Sequence, residues 1–174
     1  MPPPPYPALH ASHSGVWVAD AEGTRPIGRG EAIRIAADTP VIVLNAALVG
    51  QRLGYADLSG LDVLELFAFM FPARFMVPTP RGLARATGIE APPRDEEVAA
   101  FLLRAAEALL ATPSGDWPER EGAWTSAQSL FRLRWPWAPV IRDRLAKPAT
   151  AERWLFSKLP EWSEAAPRPA PHAR

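Results

Sequence analysis

Carboxylate side chains fall where strands are predicted to end and helices to begin, positions from which they could hold metal ions. They are Asp20, Glu22 and Asp62, and a further group of Asp95, Glu96 and Glu97. Hard divalent cations take oxygen ligands, and a pair of such ions activates water and stabilises the leaving oxygen in phosphodiester cleavage. The pattern therefore raises metal-dependent phosphodiester chemistry as one possible function.

Each group of acids also has a structural explanation, which we favour. The first pair flanks a glycine-containing turn, where acids are common. Asp62 and the group at Asp95 lie at predicted helix starts, where the helix dipole favours negative charge. His10 and His13 lie in a proline-rich stretch with no third ligand nearby, so we predict no metal site in this chain.

Hydrophobic periodicity predicts the elements that would position these groups. GVWVAD (15–20) alternates like a strand, and RPIGRG (25–30) is its predicted hairpin partner, with Pro26 favouring an edge position. PVIVLN (40–45) is a continuous apolar run, typical of a strand buried on both faces. Helices are predicted over 30–38, 47–54, 57–72 and 95–111, and between Thr79 and Gly88. The expected fold is a small sheet covered by helices.

Residues 117–160 combine tryptophans with an excess of basic side chains. The residues that could clamp single-stranded DNA are Arg132, Arg134, Trp135, Trp137, Arg142 and Arg144. Aromatic rings can stack on bases while basic groups follow the backbone. The alternative, which we favour for the tryptophans, is that they pack short helices on the core while the arginines extend outward. Two or three helices, broken by Pro136, Pro139 and Pro148, are expected here.

Composition narrows the classes of protein. The chain has 174 residues, zero net charge and no cysteine. Disulfides and cysteine-ligated zinc or iron–sulfur sites are excluded, which fits a reducing cytoplasm. We recognise no signal peptide and no apolar run long enough to span a membrane. The predicted divisions are a Pro-rich arm (1–14), an α/β domain (15–112), a Trp-rich helical extension (113–162) and a Pro/Ala linker tail (163–174), and we expect the protein to continue beyond this tail.

The order of these groups resembles that of the DEDD exonucleases, which have a ribonuclease-H-like α/β fold. In that family Asp-x-Glu ends one strand, His-Asn-Ala-x-Phe-Asp ends a second, Asp-Thr-Leu opens a helix, and a last helix is entered through His-x-Ala-x-x-Asp. The matching positions here are Asp20 and Glu22, Asn45, Asp62, and the group that begins with Asp95.

The chain departs from that family where the chemistry is concentrated. Val49 stands where the aspartate of the second motif belongs, and the last helix has no histidine near it to act as general base. The chain between Asp20 and Asn45 is also shorter than in the family, so we expect one or two strands to be missing. The resemblance therefore implies a truncated, helix-rich and catalytically inactive exonuclease-like domain.

Longer phrases resemble the N-terminal region of alphaproteobacterial DinG-type ATP-dependent DNA helicases. They are LNAALVGQRLGYADLSGLDVLELFAFMFPARF (44–75) and WLFSKLPEW (154–162). The resemblance implies a DNA-repair helicase that moves along single-stranded DNA. ATP, magnesium and an iron–sulfur cluster would belong to a motor outside this chain, because G-x-x-x-x-G-K-[ST], Asp-Glu-Ala-His and cysteine are all absent. We expect no cofactor in this chain itself.

The function expected from this resemblance is that of a non-catalytic, cytoplasmic accessory domain. It would position single-stranded DNA or a partner for a helicase motor in the same polypeptide, without contacting a membrane. Two alternatives remain: a residual metal-dependent 3′–5′ exonuclease that uses the acids named above, and a protein-interaction module that does not bind DNA.

Overall fold

The computed structural model describes residues 5–145. The strands are β1 (Ala8–Ala11), β2 (Val16–Asp20), β3 (Gly23–Ile27), β4 (Ile42–Val43) and β5 (Leu61–Asp62). The helices are α1 (Arg29–Asp38), α2 (Ala46–Leu53), α3 (Val63–Met70), α4 (Pro80–Thr87), α5 (Val98–Ala111), α6 (Arg120–Arg132) and α7 (Ala138–Arg142). Two 3₁₀ turns, Asp95–Glu97 and Thr112–Ser114, flank α5. The fold is α/β, as predicted.

The five strands form one mixed sheet in the order β3-β2-β1-β4-β5. β2 runs antiparallel to β1 and to β3, whereas β4 runs parallel to β1 and to β5. The predicted hairpin is therefore confirmed as β2–β3, and Pro26 lies on the edge strand as expected. The carboxyl ends of β1, β4 and β5 point to the same edge of the sheet.

Two strands were missed by the sequence analysis. Residues 8–11, predicted to be part of a Pro-rich arm, form the central strand β1, in which Ala8 and Leu9 are fully buried. This strand lacks the β-branched residues that favour strand assignment. Residues 61–62, predicted to be helical, form β5, so α3 begins only at Val63. With β1 and β5 the sheet has five strands, whereas the sequence analysis had predicted strands only within residues 15–20, 25–30 and 40–45.

Gly60 explains why the chain stays extended before α3. A Cβ atom at this position would lie 2.7 Å from the carbonyl oxygen of Val41, closer than side chains normally approach. The backbone of the β5 segment therefore lies directly against the segment that leads into β4. Only a glycine permits this close approach without a shift of the backbone.

The sheet is covered on both faces. Val41 and Val43 belong to an apolar cluster with residues of α1 and α2, whereas Ile42 and Leu44 belong to a second cluster with α3, α4 and α5. Side chains alternate between faces along a strand, so β4 is buried on both, as predicted. The helix predicted over 95–111 is observed as α5, which buries Val98, Phe101, Leu102, Ala105 and Leu109.

Helices α6 and α7 belong to the second of these clusters. The indole Nε1 of Trp117 donates a hydrogen bond to the carbonyl oxygen of Met70 at 2.7 Å, and that of Trp137 donates to the carbonyl oxygen of Asp62 at 2.7 Å. The predicted extension after residue 112 therefore shares its core with the α/β layer. The predicted helix after Pro148, the phrase 154–162 and the tail 163–174 lie outside the described residues. Within residues 5–145, no helix has the length and apolarity needed to cross a membrane.

Candidate functional site

A polar cluster closes the carboxyl end of β1, and we call it the strand-end cluster: His10, Ser12, Arg52 and Asp95. Ser12 Oγ donates a hydrogen bond to Asp95 Oδ2 at 2.6 Å, and His10 Nε2 lies 3.4 Å from Asp95 Oδ1. Arg52 Nη1, from α2, donates to the carbonyl oxygen of Ala11 at 2.6 Å. The cluster thus joins β1, α2 and the 3₁₀ turn before α5.

The electrostatics of this cluster favour the neutral form of its histidine. Burial lowers the pKa of His10, and the nearby Arg52 lowers it further, while Asp95 opposes the shift. The hydrogen bond from Ser12 holds the pKa of Asp95 below its ordinary value, with a smaller contribution from His10. The ring of His10 also stacks against Trp17, with a centroid separation of 6.1 Å. The cluster therefore contains one carboxylate, one arginine and a buried imidazole.

Asp62 has a structural role at the next strand end. Its Oδ1 accepts hydrogen bonds from the backbone N–H groups of Asn45 and Leu64, both at 3.0 Å, and its Oδ2 accepts from Ala46 N–H at 2.7 Å. It caps α3 and at the same time ties the end of β4 to α3. Both oxygens are occupied by backbone donors, which matches the helix-start interpretation of this acid.

Asn45 explains where β4 stops. Its backbone is left-handed, with φ of 65°, a conformation that asparagine adopts more readily than most residues. Its side-chain oxygen accepts a hydrogen bond from Leu48 N–H at 3.2 Å and so caps α2. The apolar strand therefore ends on an asparagine because that residue reverses the chain and begins the next helix.

Asp20 and Glu22 lie at the other end of the sheet from the strand-end cluster. Both are exposed in the β2–β3 turn, where Asp20 Oδ1 accepts from Glu22 N–H at 2.8 Å. Ala19 pairs with Ala8 at the start of β1, whereas Ser12 follows the end of β1. At about 3.3 Å per residue, roughly 13 Å or more of strand separates the two ends.

The predicted carboxylates are therefore not brought together. Asp95 lies in the strand-end cluster, while Glu96 and Glu97 form ion pairs with Arg94. Two metal ions in one site need their ligands within a few ångströms, so a single centre built from Asp20, Glu22, Asp62 and Asp95 is wrong on geometry. Over the described range 5–145, no three His, Asp or Glu side chains are arranged to hold a metal ion.

The tryptophans predicted to stack on bases are largely inside the protein. Trp137 is fully buried, which excludes it as a platform for bases and confirms the packing interpretation for this residue. Trp135 is half-buried; its Nε1 donates to Glu65 Oε2 at 2.8 Å and its ring lies 5.4 Å from that of Phe69. Both indoles attach the turn between α6 and α7 to α3.

The arginines of this segment lie outside, next to apolar side chains that the sequence analysis did not single out. We call this set the α6–α7 surface: Phe131, Arg132, Leu133, Arg134 and Arg142. Leu133 is 77% exposed and Phe131 is 40% exposed. The guanidinium carbon of Arg142 lies 4.4 Å from the centroid of the Phe131 ring, and its Nε lies 3.9 Å from Asp143 Oδ1. Arg144 is half-buried and already interacts within the chain.

Sequence reasoning missed His10 and Ser12 as members of a site because it placed them in a loose arm. One signal was present: a single residue separates His10 from Ser12, and both lie at the end of a short apolar run. Comparison with known protein families, with curated proteins and with solved structures finds no match to this chain.

Proposed function

We propose that this chain is a catalytically inactive, ribonuclease-H-like domain of the DEDD exonuclease type. The order and directions of the strands support this fold: a central β1 is flanked by an antiparallel hairpin on one side and two parallel strands on the other. The carboxyl ends of β1, β4 and β5 then meet at one edge, together with the start of α5. Such an edge is where a two-metal site would need its carboxylates.

The observation that carries the proposal is the hydrogen bonding of His10-x-Ser12 to Asp95. With β1 as the central strand, the one-residue spacing of the family's Asp-x-Glu falls on His10 and Ser12 rather than on Asp20 and Glu22. At the position of the last motif, Asp95 supplies a carboxylate. At the position of the second motif's aspartate, Val49 supplies none. One carboxylate with a histidine and a hydroxyl is a poor donor set for hard cations, which prefer several oxygens.

Arg52 supports inactivity independently. Its guanidinium is held against the carbonyl of Ala11 and lies close enough to His10 to lower the pKa of that histidine. A fixed positive charge at this edge repels divalent cations, whereas two-metal catalysis needs an excess of negative charge.

The role that remains is an accessory one. We propose that the domain belongs to a DinG-type ATP-dependent DNA helicase and positions single-stranded DNA for a motor in the same polypeptide, in the cytoplasm. ATP, magnesium and an iron–sulfur cluster would be bound by that motor and not by this chain. The α6–α7 surface supports the DNA role, because three exposed arginines lie there beside exposed apolar groups.

A metal-binding comparison tests the inactive site. We expect the wild-type chain to show no Mn²⁺-dependent rise in Tm and no cleavage of labelled single-stranded DNA. The paired substitution His10→Asp with Ser12→Glu restores three carboxylates with Asp95, and we expect its Tm to rise with Mn²⁺ because ligands stabilise the folded state that binds them.

A control pair at the other end of the sheet, Asp20→Asn with Glu22→Gln, should leave the metal response of the restored variant unchanged. Cleavage by the wild type that is lost in Asp95→Asn would contradict inactivity. A restored variant that ignores Mn²⁺ would contradict the assignment of the vestigial site to the strand-end cluster.

A protein-interaction module is the second candidate, and the 77% exposure of Leu133 favours it. The salt dependence of binding affinity distinguishes the two functions. If DNA pairs with about three arginines, the logarithm of its affinity should fall with the logarithm of salt concentration with a slope of about −2. Absence of DNA binding at low salt would leave the protein-interaction module as the better account.

A further inference from the structure

We infer that the α6–α7 surface, on which the proposed DNA role depends, is a base-stacking site for single-stranded DNA with Phe131 as its platform. The ring is 40% exposed and pairs with the guanidinium of Arg142 at 4.4 Å. Aromatic rings and arginine planes both accept unpaired bases by stacking. Phe131 thus takes the role that the sequence analysis gave to Trp135 and Trp137.

The shape of the surface fits a strand of nucleotides. Phe131 lines a shallow groove of about 530 Å³ together with Arg132, Arg134, Trp135, Pro136 and Pro139. The side chains of Arg132 and Arg134 make no hydrogen bond or ion pair with the residues that the structure describes. These two guanidinium groups are therefore available to bind phosphates. The apolar side chains of the groove lie beside them and could contact bases.

The backbone of Arg134 gives an independent reason to assign it a role outside folding. Its φ is 59°, in the left-handed region where glycine is the usual residue at a helix end. Its N–H donates to the carbonyl oxygen of Phe131 and that of Trp135 donates to Leu130, the hydrogen bonds of a Schellman C-cap at the end of α6. A side chain other than glycine is unfavourable in this conformation, and this one has no partner within residues 5–145. We therefore assign the cationic side chain at this strained position to the binding of phosphate.

Single-stranded DNA fits this surface better than a protein partner because of its charge. The surface contains three arginines, and within residues 5–145 the acid that forms an ion pair with one of them is Asp143, 3.9 Å from Arg142. The whole chain has zero net charge, so this excess of cations is local. The phosphates of the strand would pair with these arginines, and its bases would stack on the ring of Phe131.

The test compares a fluorescent oligothymidine with an abasic oligonucleotide of the same length, by anisotropy at low salt. We expect the wild type to bind oligothymidine about 5- to 140-fold more tightly, the range for one stacked base. Phe131→Ala should bind both strands equally, at the affinity of the wild type for the abasic strand. Phe75→Ala, the matched control at an aromatic ring that is 88% exposed and lies outside the α6–α7 surface, should keep the discrimination.

Arg134 is tested by two substitutions. Arg134→Gly should weaken binding to both strands and raise Tm by about 2–4 °C, because glycine relieves the left-handed backbone. Arg134→Lys keeps the charge and the strain, so binding should persist without a gain in Tm. A fall in Tm for Arg134→Gly would overturn the assignment of this residue to a ligand.

The outcomes separate this inference from the proposed function. Equal binding of the two oligonucleotides by the wild type would overturn the stacking site while leaving a DNA role based on phosphate contacts. Binding of neither strand at low salt would overturn both, and would favour a protein partner at Leu133.

Discussion

The strand-end cluster and the α6–α7 surface treat their polar groups in opposite ways. At the strand end, Asp95 is hydrogen-bonded by Ser12 and faces His10, and Arg52 is held by a backbone carbonyl. At the α6–α7 surface, Arg132 and Arg134 project outward with no partner among the described residues. The polar groups of the strand-end cluster are thus satisfied internally, whereas two cations of the α6–α7 surface are available to a ligand within the described part of the chain.

Substitution of Trp137 should give the largest loss of stability, because this residue attaches the α6–α7 surface to α3. The side chain is fully buried and its Nε1 donates to the carbonyl oxygen of Asp62. Trp137→Ala should lower the free energy of unfolding by about 3–5 kcal/mol in urea melts. Leu133→Ala, four residues earlier and exposed, should change it by less than about 0.5 kcal/mol. A small loss for Trp137→Ala would mean that the surface is not fixed to the core.

Substitution of Asp62 should give the second-largest loss of stability, because its carboxylate accepts three backbone hydrogen bonds. Asp62→Ala leaves these donors without a partner and should cost about 2–3 kcal/mol in the same melts. Asp62→Asn retains one acceptor oxygen and should cost less. If Asp62 instead served as a metal ligand, Mg²⁺ would stabilise the wild type and not Asp62→Ala; we expect no such difference.

His10 should give the smallest effect on stability, visible as a pH dependence. Its pKa is lowered in the folded state by burial, so the unfolded chain binds more protons between the two pKa values. Stability from this residue is fully present above its ordinary pKa of 6.5 and is lost as pH falls through 6.5 toward the folded value. His10→Gln should flatten the decline in Tm between pH 7.5 and 5.5. An identical decline in wild type and variant would show that His10 does not titrate as described.

The sequence predicted the parts of the fold that local chemistry dictates. Thr79, Pro80 and Gly88 delimit α4, and α5 lies within the helix predicted over 95–111. β1 and β5 were missed because they are short and are stabilised by their neighbours in the sheet. ALHA carries no strand pattern of its own and becomes a strand only between β2 and β4.

The site was harder to predict for a related reason. Asp20-x-Glu22 matched the expected spacing, but a spacing does not say at which end of a sheet it lies. His10 and Ser12 lie beside Asp95, which is 85 and 83 residues away from them in the sequence. This proximity depends on which strand is central in the sheet. Likewise, arginines can be recognised as basic from sequence, but the burial of Trp137 and the exposure of Phe131 follow from how α6 and α7 pack on α3.

The most direct test of the central claim, that DNA binds at the α6–α7 surface, is a pair of matched charge reversals. One variant carries Arg132→Glu, Arg134→Glu and Arg142→Glu. The other carries Arg29→Glu, Arg34→Glu and Arg81→Glu, three exposed arginines on α1 and α4. Both change the net charge by the same amount, so any general electrostatic effect is equal in the two.

Anisotropy with labelled single-stranded DNA at low salt, on variants with unchanged Tm, gives the comparison. We predict that the α6–α7 variant loses binding and that the α1–α4 variant binds within a few-fold of the wild type. Equal losses in the two variants, or wild-type affinity in both, would contradict the account.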